Sequence, residues 1–106
     1  MTQIAQSIRV AVDIVIFTVQ DNALKVILIR MKKKPFTGIW AFPGGLIDSE
    51  ESLDAASKRE LREKTGVRSP YLEQLYAFSD PKRDPNGRVI SIAYFALINS
   101  GPISSK

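Results

Sequence analysis

Two acidic side chains and a lysine stand together in the stretch 59–67, RELREKTGV. On a helix Glu60 and Glu63 lie one turn apart on the same side, and Lys64 follows the second acid directly. Carboxylates at that spacing could hold a hard divalent cation, and they are also what an ordinary solvated helix carries. The chain contains no histidine and no cysteine. It therefore has no imidazole base, no disulfide framework and no thiolate metal site. Acid–base or metal chemistry has to use Asp and Glu, and pure oxygen sites take magnesium, manganese or calcium. Read as a surface pair, Glu60 before Lys64 is worth only about 0.2–0.5 kcal/mol.

The helix that carries these residues is well marked. Ser52 is a good N-cap, Asp54 places an anion in the first turn, and Gly66 suits the residue just past the end. Leu53, Ala56 and Leu61 supply an apolar side, so a helix is expected over about 53–64. Before it, residues 8–19 are β-branched and nearly all apolar, the pattern of a central strand buried on both faces. A turn at QDNA (20–23) leads to a second strand, LKVILIRM (24–31), giving a hairpin. KKKPFTG (32–38) is a loop whose lysines read as solvated surface, with phosphate steering as the alternative. IWAF is a short extended segment, and PGG (43–45) should turn the chain. YLEQLYAF (71–78) and VISIAYFALI (89–98) read as strands around a long polar loop, SDPKRDPNGR (79–88). The expected fold is α/β, with at least four strands and one firm helix.

With 106 residues, 44% hydrophobic and 25% charged, the chain is sized and composed as one soluble globular domain. The net charge of +4 suits an anionic small molecule as well as nucleic acid. The apolar run near the N-terminus is short and interrupted by Arg9 and Asp13, so neither a signal peptide nor a membrane span is expected, and a cytoplasmic location is the default.

The segment GGLIDSEESLDAASKRELREKTGV (44–67) resembles the Nudix box, G-x5-E-x7-R-E-U-x-E-E-x-G-U, where U is a bulky aliphatic residue. Gly45, Glu51, Arg59, Glu60, Leu61, Glu63, Gly66 and Val67 fall at their places, eight of nine fixed positions, and the ninth is Lys64 where the box has a second glutamate. The lead-in GIWAFPGG is similar too. The resemblance runs from about Ile8 to Ile98 and implies a Nudix-type α/β/α sandwich with a mixed sheet. It makes residues 1–106 a single Nudix domain with its box at 45–67. The family's later strand and C-terminal helix have no counterpart, so the domain is expected to be C-terminally incomplete. Its open face would then be covered by a homodimer partner or by a longer parent chain.

What the resemblance implies for the site follows residue by residue. Glu60 and Glu63 would be catalytic, holding magnesium or manganese. Glu51, Arg59 and Gly66 would be structural, with Glu51 and Arg59 bracing loop to helix. The backbone of Gly44, Gly45 and Leu46 would lie close to a diphosphate. A divalent cation there bridges diphosphate oxygens and lowers the pKa of an attacking water. Lys64 works against this: a unit-charge change at ~4 Å and effective dielectric ~20 is worth about 4 kcal/mol, so metal affinity should fall by orders of magnitude. The segment DPKRDPNGRVISIAYFAL is similar to one in ADP-ribose-type Nudix hydrolases and in Nudix-related regulators. It makes Arg83 and Arg88 the substrate-binding candidates, with Lys82 behind them and loop scaffolding as the plain alternative. Phe36 and Trp40 could stack on an adenine, although Trp40 reads better as a core residue.

The expected function is a Nudix pyrophosphohydrolase cleaving a nucleoside diphosphate linked to another group, ADP-ribose above all, with activity weakened or lost through Lys64. The alternative is a non-catalytic ADP-ribose-type ligand-binding sensor domain, or a truncated fragment. No helix-turn-helix segment is present, so this chain is not expected to bind nucleic acid itself. The general base stays unnamed.

Overall fold

A computed structural model describes residues 7–32, 37–66, 68, 71–82 and 87–98. Seven strands and one helix follow in the order β1 (Ile8–Gln20), β2 (Ala23–Ile27), β3 (Ile29–Arg30), β4 (Trp40–Ala41), β5 (Gly44–Leu46), α1 (Leu53–Thr65), β6 (Leu72–Phe78) and β7 (Arg88–Leu97). The main sheet runs β2-β1-β7-β6, with β5 added along β1. β1 and β7 are parallel, with Val12 beside Ile92 and Ile14 beside Tyr94, and the other pairs are antiparallel. The sheet is therefore mixed, as expected of an α/β Nudix-type fold.

Alternation decides where the core sits. Val12, Ile14 and Ile16 of β1 and Ile92, Tyr94 and Ala96 of β7 share one face, and Ala56 and Leu61 of α1 pack against them. The β1 residues between them are only half-buried, so this strand alternates where both faces were expected to be closed. On the opposite face Val19, Leu24, Val26, Tyr76, Phe78 and Leu97 stand exposed. Among the described residues one helix covers one face. None of the described helices is long and apolar enough to cross a membrane.

The helix ends as its caps dictate. The Ser52 hydroxyl accepts from the Ala55 N–H at 3.1 Å. Gly66, at φ 74°, lets its own N–H return to the Arg62 carbonyl. The Tyr94 hydroxyl donates to Asp54 Oδ1 at 2.6 Å and ties the first turn to the middle of the sheet.

Three further expectations are corrected. The strand foreseen over 24–31 is split at Leu28: β2 pairs with β1, whereas β3 pairs with β4 in a separate two-stranded sheet. PGG does not simply turn the chain, because Gly44–Leu46 becomes β5 and lies antiparallel on β1. Glycine permits this approach, since a Cβ on Gly44 would collide with the Val12 carbonyl oxygen and lie 2.9 Å from Asp13 Oδ1. Trp40 is not a core residue: it is 62% exposed, because its small sheet lies outside the layer that α1 covers.

Candidate functional site: a carboxylate cluster closed by an arginine and a lysine

β5 and the capped start of α1 bring the site together. Gly45 pairs with Val12, and the wall that it presents faces Glu60 directly. A Cβ there would lie 3.0 Å from Glu60 Oε1 and 3.1 Å from Oε2. Glycine is thus what lets a buried carboxylate lie against the loop backbone.

Arg59 is the hub. Its Nε and Nη2 grip the two oxygens of Glu51 at 2.6 and 2.9 Å. Its Nη1 donates to Glu60 Oε1 at 2.7 Å and to Glu63 Oε1 at 3.3 Å, and its Nη2 also reaches the Leu46 carbonyl at 3.3 Å. One guanidinium fork therefore holds three carboxylates and the β5 backbone together. Glu51 accepts in addition from the Asp48 N–H at 3.1 Å, which closes the loop before the helix. The Arg59 hydrogen bond, helped by that N–H, holds the Glu51 carboxyl at about 2, well below its ordinary 4.5. The same bond, with Glu60 and Glu63 behind it, raises Arg59 above the usual arginine value. Glu51 and Arg59, expected to brace loop to helix, lie against each other, with Arg59 also on the Leu46 carbonyl. That Arg59 also engages the two acids of the metal reading was not foreseen, although neighbouring positions 59 and 60 and an i, i+4 spacing to Glu63 permit it.

Glu60 is the buried member, with its side chain 6% exposed, against 48% for Glu63. Its Oε2 is buried and has no hydrogen-bond partner. The Lys64 ammonium lies 3.7 Å from that oxygen, on a side chain 41% exposed. A buried oxygen facing a cradle without a Cβ is where a cation belongs, and Lys64 brings one. The donor set does not fit a resident divalent ion as it is arranged. Glu60 and Glu63 already share Arg59, and among the described residues no group of three acidic side chains is placed to hold a metal. Three carboxylates against the cations of Arg59 and Lys64 leave one net negative charge. A glutamate at 64 would leave three.

The surface pair-energy read from helical spacing does not carry over, since one partner is buried.

The loop after β6 is described only at its ends, and Arg83 lies outside the described residues. Arg88 opens β7 beside Ile8; its Nη2 donates to the Ser79 carbonyl at 3.1 Å, and its Nε is buried without a hydrogen-bond partner. Arg88 thus ties the two ends of the loop. Lys82 sits in a turn in which its N–H donates to Asp80 Oδ1 at 2.8 Å. Phe36 also falls outside the described residues. A groove of about 310 Å³ adjoins the box loop, with Arg9, Val10, Leu46 and Asp48 among its walls. Arg9 was read only as a break in an apolar run; its position one residue into β1 is the signal that it stands at the end of the sheet.

A profile of the NUDIX domain matches residues 7–105, and the chain belongs to this family. It is 46% identical over 90 residues to an ADPR-responsive transcriptional repressor, NtrR, of Acinetobacter baylyi, covering 83% of this chain and 36% of that protein. It is 38% identical over 96 residues to an ADP-ribose pyrophosphatase of Methanocaldococcus jannaschii, covering 91% of this chain and 54% of the relative. Among solved structures, the NUDIX domain of Shewanella oneidensis NrtR complexed with ADP ribose superposes with a TM-score of 0.85 at 38% identity, over 95% of this chain and 67% of that one. The chain thus spans about a third to a half of the curated relatives' lengths.

Proposed function

We propose that this chain is a Nudix domain that binds an ADP-ribose-type nucleoside diphosphate and does not turn it over efficiently. The observation that carries this reading is the Lys64 ammonium 3.7 Å from the buried, otherwise unpartnered oxygen of Glu60. That contact supports the reading because it brings a positive charge from the position where the box has a further glutamate. ADP-ribose as the ligand is supported by the repressor responsive to it and by the related domain complexed with it. The Gly44–Leu46 backbone, together with Arg83 and Arg88, is assigned to the ligand's diphosphate and ribose. The domain's part is then to report ligand, and no DNA contact is assigned to this chain. Calorimetry with ADP-ribose, run beside chromatography for AMP and ribose 5-phosphate, tests it: binding with no product supports the reading, and rapid product formation refutes it.

A second reading, hydrolysis, is favoured by eight matched box positions and by the relative named ADP-ribose pyrophosphatase. It assigns Glu60 and Glu63 to magnesium or manganese and requires Lys64 to leave Glu60. Magnesium-dependent release of AMP by the unaltered chain is its test.

A further inference from the structure

We propose that the Lys64 ammonium takes the place of the divalent ion in binding, meeting an anionic oxygen of the ligand's diphosphate, so that affinity does not depend on magnesium. The inference deepens the ligand-binding reading above and rests on it.

Three features carry it. Glu60 is held: Arg59 donates to Oε1 at 2.7 Å, and the carboxylate lies against Gly45, where an added Cβ would come within 3.0 Å of it. Its other oxygen, Oε2, pairs with Lys64 from the buried side at 3.7 Å. The lysine side chain is nonetheless 41% exposed, so its charge lies at the border between the buried acid and open solvent. An ammonium has three N–H donors, and the ion pair with Glu60 Oε2, at 3.7 Å, is too long to be a hydrogen bond from any of them. A cation paired with a buried acid and reaching open solvent is matched to a diphosphate oxygen. A divalent ion held by glutamates would present its charge to the same oxygens, but Lys64 is permanently tethered and needs no free metal.

The test is calorimetry of the full chain with ADP-ribose, in EDTA and in millimolar magnesium, for wild type, Lys64→Arg, Lys64→Gln and Lys64→Glu. Wild type should bind with the same affinity in both buffers, to within about twofold. Lys64→Arg should stay close to it. Lys64→Gln should weaken binding in EDTA by about tenfold or more. Lys64→Glu should lose binding in EDTA and regain it with magnesium, a reversal that a purely structural role for Lys64 would not produce. Equal affinity of wild type and Lys64→Gln in EDTA overturns the proposal, as does wild-type binding that needs magnesium. The wild-type comparison requires no variant, so a misfolded substitution does not remove the test. No wild-type binding in either buffer would overturn the ligand reading itself, a different result from magnesium-dependent binding.

Discussion

Lys64→Glu should destabilise the metal-free domain far more than a surface charge change does. Lys64 Nζ lies 3.7 Å from Glu60 Oε2. At that separation Coulomb's law gives about 4.5 kcal/mol at an effective dielectric of ~20 and about 1 kcal/mol in bulk water. Because the lysine side chain is 41% exposed, solvent screening brings the attraction to about 2 kcal/mol. The substitution removes this term and adds repulsion, which the new carboxylate relieves by turning outward. It also places an acid in the last helical turn, where the dipole disfavours it by about 0.3–1 kcal/mol. A loss of about 2–3 kcal/mol corresponds to roughly 10–15 °C in Tm for a domain of this size. Lys64→Gln, which lacks the repulsion, should fall between the two. Scanning calorimetry in EDTA reads the loss. Magnesium at a hundredfold excess over its Kd should then restore about 2.7 kcal/mol to Lys64→Glu and leave wild type unmoved. If Lys64→Glu melts with wild type in EDTA, or if magnesium raises both equally, the placement of Lys64 against Glu60 is refuted.

Gly45→Ala puts a methyl 3.0–3.1 Å from both Glu60 oxygens, one of which Arg59 pins. It should cost about 1–3 kcal/mol by overpacking, and an unchanged denaturant midpoint would contradict the geometry. The Glu51 carboxyl titrates at about 2 in the fold against 4.5 ordinarily. Its lowered pKa contributes stability that is complete above the ordinary value and is lost as pH falls toward the folded one. The gap in urea midpoint between wild type and Glu51→Gln should therefore be full at neutral pH and close between about 4.5 and 2. A gap independent of pH would count against the Arg59–Glu51 clamp. Arg83→Ala should weaken ADP-ribose binding in calorimetry without moving Tm. Arg88→Ala should lower both, because Arg88 also holds the Ser79 carbonyl; ligand affinity unchanged in both variants would remove the arginines from the site. If the exposed face around Val26, Tyr76 and Phe78 is where two copies meet, light scattering should give twice the monomer mass, and a cooperatively melting monomer would exclude that contact.

Much of the site was legible because its signals are local. Ser52, Asp54 and Gly66 set the helix through caps and dipole, which act within one turn of chain. The 3.6-residue period then put Glu60, Glu63 and Lys64 on neighbouring positions before any fold was known. The core strands were legible as β-branched, apolar runs over 8–19 and 89–98, although the alternation of β1 was not, because its residues are apolar on both faces and only the layer packed on each face decides burial. What the sequence left undecided depends on pairing between distant segments. Nothing local says that Gly44–Leu46 will lie on β1, nor that residues 24–31 will divide between two sheets. The same apolar character that reads as core left Trp40 exposed, because burial is decided by which layer a strand joins. Above all, only the tertiary structure decided how strongly Glu60 and Lys64 interact. On an isolated helix they are a solvated pair. Packing Glu60 behind Gly45 and under Arg59 removes water from one partner, and a charge without water depends on its neighbours far more than a charge with it.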